Sequence, residues 1–354
     1  MELHCAPTVQ GGFMRRANVL VTVTAALLFS ACAALAQQLP KSINIGSNPP
    51  GTLFYALASG LAKVISDSAA IQAQVQPFAG TSTFVPLFDS GELDLGVVNA
   101  VDMSMVYRGS NYKIGGKNPF PHVAASRLIM RGSPLRSSFV VRKDSPIKTL
   151  ADVKGKRATG EYPAQLAVWY NMYGALSNAG LTWNDVKVVP VPAVNEGVDA
   201  LIQGRADVTT HAIGSAKLKE ADAAVGIRFL SLDCSKVGEQ RIKKAIPGYY
   251  LSIVKGGSSS GILEDICAYT YDIYLVGHAK LADTVVRSVL QAIWVNIDKL
   301  PQFHPGFAEW TKARAVDPEV TIPYHPAAVR HFKDAGAWTA KMDEAQKKLL
   351  ASKS

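Results

Sequence analysis

Cysteine is scarce in this chain, with four in 354 residues, and two of them, Cys5 and Cys32, lie near the N-terminus. The other two, Cys234 and Cys267, are too few for a disulfide scaffold and allow either one bridge or two buried thiols. The seven histidines show no H-E-x-x-H spacing and the cysteines no C-x-x-C spacing, so no metal site is expected. Basic residues outnumber acidic ones by 37 to 28, but they are scattered. The densest pairs, Arg15-Arg16, Lys243-Lys244 and Lys347-Lys348, are not interleaved with aromatics, so no nucleic-acid partner is expected. The net charge of +9 is a modest bias toward anionic partners. Beyond the N-terminal region no stretch reaches ~18 uncharged apolar residues, and a soluble mature protein is expected. With 48% hydrophobic and 18% charged residues the chain is not of disordered composition, and its length suits about two domains.

The N-terminus carries an address. Arg15-Arg16 precede the apolar run from Val19 to Phe29, and Ala34-Leu35-Ala36 follows. A basic region, a short apolar core and an A-x-A site form a secretory signal peptide, expected to be cleaved after Ala36. Met14 stands directly before the arginines and is an alternative start to Met1. A lipoprotein signal at Cys32 would need a leucine three residues earlier, where Phe29 stands. The expected location is periplasmic.

Downstream, strands and helices alternate. Ile43-Asn44-Ile45 reads as a strand, Gly46 to Thr52 as a turn, and Leu53, Leu57, Leu61 and Val64-Ile65 as the apolar face of a helix. A strand at 75–78, a turn at 79–82, a short helix stopped by Gly91 and a buried strand at 95–98 follow. The same order recurs through the strand Arg157–Thr159, the Gly160 turn, a helix ending at Gly180, a strand at 186–190 and the echo Gly204-Arg205-Ala206-Asp207 of Gly91-Glu92-Leu93-Asp94. The offset is 113 or 114 residues (Gly46 to Gly160, Pro77 to Pro190, Gly91 to Gly204, Asp94 to Asp207), which is the mark of two similarly built lobes. Alternation of this kind predicts parallel sheets, with the turns at the strand C-termini around one cleft.

Several local patterns compete with that reading. The Gly46–Thr52 turn has phosphate-loop glycines but lacks the lysine, so it reads as a structural turn or as a helix N-terminus facing a ligand carboxylate. Gly257-Ser258-Ser259-Ser260-Gly261 matches G-x-S-x-G, yet its composition is that of a polar loop. His325 reads as a turn residue, and His211 equally as a cleft donor or a structural histidine. Arg127, Arg131 and Arg136 each offer a cation to the cleft or to the surface. Glu161, at a helix start, either complements the helix dipole or faces the cleft and repels an anion.

Four blocks together resemble the TAXI-type solute receptors of TRAP (tripartite ATP-independent periplasmic) transporters. They are Ile43–Leu61, Gly80–Asp102, Asp144–Arg157 with the Gly160 turn, and Ile322–Ala328 continuing to Asp334-Ala335-Gly336-Ala337-Trp338. The chain departs from the pattern at Gly80-Thr81-Ser82, at Asn99 and at Glu161–Ala164, all on pocket turns. The resemblance implies a non-catalytic extracytoplasmic receptor that captures a small, usually anionic solute for a membrane permease, without a cofactor. The expected fold is α/β, a two-lobe periplasmic-binding-protein-like architecture (type II-like) with the ligand cleft between lobes. Lobe I is expected at 37–134 plus 246–354 and lobe II at 135–245, with hinges near Ser137–Val140 and Pro247–Tyr250, in a monomer. An ATP-driven transport receptor, or an exported enzyme using the serines of 257–261, are the alternatives. From the geometry of the turns the ligand is expected to meet Ser47, Thr52, Phe54, Tyr55, Thr81, Ser82 and Asn99 from one lobe and Tyr162, Gln165 and His211 from the other. Tyr55 and Tyr162 are expected as walls, and a carboxylate or amino acid as ligand, since helix N-termini at the cleft carry partial positive charge.

Overall fold

The structure, a computed structural model, describes residues 39–352. The expected leader, with Cys5, Arg15, Arg16, Cys32 and the cleavage point at Ala36, lies outside the described residues. Among these residues, no helix is long and apolar enough to cross a membrane.

The first strand, β1 (Ser42–Ser47), runs into a turn closed by Thr52, whose hydroxyl accepts the N–H of Tyr55 at 3.3 Å and starts the helix Leu53–Ser68. That helix buries Leu57, Leu61, Val64 and Ile65, the residues whose spacing marked its apolar face. β2 (Gln72–Pro77) and β3 (Leu95–Asn99) flank β1 and run parallel to it. Beyond β3 the sheet continues with β11 (Ile266–His278), which also pairs with β4 (Ser126–Ser137) and β10 (Tyr250–Val254), giving six strands. All pairs made by β11 are antiparallel. The expectation of purely parallel sheets therefore fails here, for a physical reason. β4 and β11 carry the chain in opposite directions through the same sheet, so they can only pair antiparallel.

The second lobe repeats the first. β6 (Arg157–Glu161) pairs in parallel with β7 (Lys187–Val191), and a bridge from Ala158 to Val208 joins them to β8 (Thr209–Thr210), β5 (Phe139–Arg142) and β9 (Ile227–Phe229). In the first lobe Ile45 pairs with Val75 and Leu95; in the second Ala158 pairs with Val188 and Val208, each 113 positions further on. Gly91 and Gly204 both take a left-handed conformation (φ 77° and 70°) at the end of a short helix, where a side chain would be strained. One landmark is corrected. Ser47 pairs with Pro77 and Gly160 with Pro190, so the counterpart of Gly160 is Ser47 and not Gly46.

At Ser137–Phe139 β4 of the six-stranded sheet gives way to β5 of the second-lobe sheet. On the return, the segment from 246 onward still carries Val254, Ile262, Ile266 and Ala268 into the core cluster built on Val140, Val198, Leu201, Ile227 and Phe229. The pairing that the cysteine count left open is made: Cys234 and Cys267 form a disulfide that ties the loop after β9 to the start of β11.

Candidate functional site

The C-terminal ends of β1 and β3 and the turns after β2 and β6 meet at a cavity between the lobes, as parallel strands with short turns require. Asn48, Thr52, Leu53, Phe54, Thr81, Asn99, Leu135 and Tyr271 line one side, with Gln165, Val168, Asn171, Val194 and His211 opposite. About 40 Å³ is open to the centre of a water molecule, so the cavity in this conformation suits a small occupant. The lobes touch around it. The N–H of Leu166 donates to Ser82 Oγ at 3.5 Å, Asn195 Nδ2 to the Pro50 carbonyl at 3.2 Å, and the N–H of Lys217 to the Gly51 carbonyl at 3.2 Å. A Cβ on Gly80 would stand 1.9 Å from the Ala164 carbonyl oxygen, so only glycine permits this approach.

Four amides line the cavity, and every one turns its carbonyl oxygen back into the protein. Gln165 Oε1 accepts the N–H of Val194 at 2.8 Å, and Asn99 Oδ1 accepts the N–H of Asp102 at 2.6 Å. Asn48 Oδ1 accepts from Thr81 Oγ1 at 3.5 Å, and Asn171 Oδ1 accepts the phenol of Tyr249. The bonds assign the amide orientation, and each amide keeps N–H capacity for a ligand. Gln165 Nε2 is buried with no partner. Since Asn195 gives its amino group to Pro50, its oxygen must accept from His211 Nε2, 3.1 Å away, which leaves His211 Nδ1 as a buried acceptor with no hydrogen bond. Burial pushes the His211 pKa down to about 4, so the ring is neutral at pH 7. No Lys, Arg, Asp or Glu is in the lining among the described residues.

Of the residues expected at the ligand, Thr52, Phe54, Thr81, Asn99, Gln165 and His211 line this cavity. The other four do not. Ser47 is fully buried beside it, with its hydroxyl unpaired. Tyr55 faces a separate surface groove with Ser59, Lys219 and His304. Ser82 makes the inter-lobe bond to Leu166. Tyr162 is no wall: its backbone takes φ 49°, which turns the ring into the second-lobe core, where it bonds Thr159 and burial raises its pKa to about 12. The arginines are committed elsewhere. Arg127 donates to the Ala124 and Ser126 carbonyls, Arg131 pairs with Asp272 and Asp317, and Arg136 pairs with Glu309. Glu161 is exposed and outside the lining.

His325 caps the helix Pro326–Asp334 through Nδ1, which accepts the Ala327 N–H at 3.1 Å. The 257–261 serines lie in the loop between β10 and β11, where no helix follows Ser259, so the strand–serine–helix geometry of a nucleophile elbow is not formed. Among the described residues no group of three or more His, Cys, Asp or Glu could hold a metal.

Sequence reasoning missed Asn48, Asn171 and Tyr271. Asn48 lay within the quoted Gly46–Thr52 turn. Asn171 carried a signal, as one of two asparagines, with Asn178, on the mostly apolar buried face of the helix Leu166–Asn178.

The same fold recurs in solved structures. A periplasmic transporter matches with a TM-score of 0.54 at 12% identity, over 89% of this chain and 97% of its own. PhnD1 from Prochlorococcus marinus, in complex with methylphosphonate, matches at 0.52 and 13%, over 85% of this chain and all of its own. MatC from Rhodopseudomonas palustris with bound malate matches at 0.52 and 9%, over 89% and 100%. These likenesses establish the two-lobe periplasmic-binding-protein fold. The model of the NMT1-like family matches residues 45–336, which takes in both lobes and every residue of the cavity, and the chain belongs to that family.

Proposed function

We propose that this protein is an extracytoplasmic solute receptor that captures a small oxyanion, most simply a short carboxylate, and delivers it to a membrane transporter without transforming it. The carrying observation is the set of four amides whose oxygens are all engaged by the protein. Donors left over on all of them suit a ligand rich in acceptors, and several neutral donors can share one negative charge without a cation. His211 Nδ1 adds a single acceptor, which suits a hydroxyl or ammonium group beside the carboxylate. A cleft between two lobes supports capture by closure. The fold neighbours include proteins with bound malate and methylphosphonate, both acceptor-rich anions.

The resemblance of the four sequence blocks to TAXI receptors makes a TRAP-type permease the proposed partner, with a monomeric periplasmic protein released after Ala36.

The test is a thermal-shift screen of refolded, ligand-stripped protein against carboxylates, amino acids, phosphonates, sugars and polyamines. A ligand at 100 times its Kd stabilises the folded state by about 2.7 kcal/mol. Shifts confined to sugars or polyamines would sink the oxyanion reading, and turnover of any ligand abolished by Ser259→Ala would restore the enzyme alternative.

A further inference from the structure

Among the described residues Asp102 is the one acidic side chain that is completely buried, and it lies directly behind the cavity, bonded to Asn99 of its lining. Its Oδ2 accepts Asn99 Nδ2 at 2.7 Å, while its own N–H donates to Asn99 Oδ1. Asn99 is thereby clamped at both ends of its amide, with one N–H left for the cavity. Oδ1 of Asp102 makes no hydrogen bond of normal geometry, and Thr81 exerts only a weak polar pull on the carboxyl. An ionised carboxylate in that position carries an uncompensated charge in a dry setting, which is costly. Its polar partners are Asn99 at the end of β3 and Thr81 from the turn after β2, and the titratable groups that feel its charge are the phenols of Tyr170 on the helix Leu166–Asn178, Tyr249 before β10 and Tyr271 on β11. All are neutral, and none forms an ion pair with it.

We propose that Asp102 is a positioning residue that must hold a proton for the cavity to accept an oxyanion, so that ligand capture is coupled to proton binding. The inference rests on the oxyanion reading above and adds its regulation. A proton on Oδ1 leaves Oδ2 free to keep its bond to Asn99, so the amide stays aimed while the charge disappears. If that proton is lost, a bound oxyanion faces a second negative charge behind Asn99 and Thr81, and the like charges repel. Burial independently pushes the Asp102 pKa up to about 7, against the weaker pull of Asn99 and Thr81, so the switch falls in the neutral range. Between pH 6 and 8.5 no other cavity group changes charge, since His211 titrates near 4 and the buried phenols well above 10.

The experiment is calorimetric titration of the full mature protein with L-lactate and L-malate from pH 6 to 8.5, in buffers of different ionisation enthalpy. The neutral fraction of a group with a pKa near 7 is about one-tenth at pH 8, so Kd is expected to rise about tenfold from pH 6 to pH 8, with proton uptake on binding. Asp102→Asn, which keeps the shape and cannot ionise, is expected to bind with an affinity that no longer changes between pH 6 and 8.5. Carbon-13 NMR of the Asp102 carboxyl in the unliganded protein gives a second, ligand-independent readout. Binding that is unchanged over this range, or an Asp102 that titrates at an ordinary aspartate pH, overturns the proposal. Failure of both acids to bind at every pH, with Asp102 titrating near neutrality, overturns the carboxylate reading and the coupling with it.

Discussion

Asp94 and Asp207 occupy the same place in the two lobes. Asp94 Oδ2 accepts the backbone N–H of Asn44 at 2.9 Å, and Asp207 Oδ2 accepts that of Arg157 at 2.9 Å. Each carboxylate thus ties the strand that opens its repeat, β1 or β6, to the segment that enters β3 or β8. Replacing either by Ala removes a charge-assisted bond and should cost about 1.5–3 kcal/mol, read by urea denaturation. The two losses should be additive, because the sites are far apart. Changes below about 0.5 kcal/mol would mean that water replaces these carboxylates without loss.

Gly80 decides whether the lobes can meet. Gly80→Ala places a methyl 1.9 Å from the Ala164 oxygen and 2.3 Å from Gln165 Cγ, at the contact that seals the cavity. The variant should fold with near-native stability, bind ligand at least about tenfold more weakly, and show a larger radius of gyration by small-angle scattering in the presence of ligand. Native affinity with native compaction would show that the contact yields easily.

Gln165 presents an unpaired amino group while its oxygen holds Val194. Gln165→Glu keeps the acceptor for Val194 and replaces the donor by negative charge. Carboxylate binding should fall by about 1.4 kcal/mol or more, at least tenfold, and the buried unpaired charge should lower the melting temperature as well. Equal affinity would show that Gln165 does not touch the ligand.

Stability against pH should show two opposed slopes. His211 is held near 4, below its usual value, so the unfolded chain alone is protonated between about pH 6.5 and 4 and stability falls as the pH drops through that window. Asp102 is held near 7, above its usual value, so the folded chain alone is protonated between about pH 4 and 7 and stability falls as the pH rises. From about pH 4 to 6.5 the two contributions cancel. His211→Gln should therefore unmask stability that declines with rising pH, and Asp102→Asn stability that declines with falling pH. Parallel curves for both variants and the native protein would contradict these protonation states.

The Cys234–Cys267 bridge closes a segment with a sequence separation of 33. Replacing both cysteines by serine should cost about 3–4 kcal/mol by loop-closure entropy, seen in chemical denaturation. A loss under 1 kcal/mol would mean that the unfolded chain is little constrained by the bridge.

The two-lobe fold was legible because hydrophobic spacing and turn residues recur at a fixed offset, and backbone pairing follows such patterns directly. Six cavity residues were legible for a related reason: they sit at strand ends or in the turns and helix starts that follow them, and topology alone brings these together. Tyr162 was misjudged because its direction depends on a positive φ that sequence spacing does not reveal. Asn171 and Tyr271 come from the middle of a helix and of a long strand, so only the packing of one lobe on the other places them at the cavity. The amide orientations, and with them the donor character of the site, follow from partners such as Val194 and Tyr249 that no local motif announces.

The strand β11 has a consequence for how the chain is built in time. It lies between β3 and β4 in the first-lobe sheet, yet it is synthesised after every other strand of the described residues. A nascent chain that has not reached His278 therefore has its second lobe's strands complete, while β3 in the first lobe still presents a bare edge. The N-terminal lobe is thus the later one to finish, and its open edge is the surface that a holding chaperone or a stray neighbouring strand meets first.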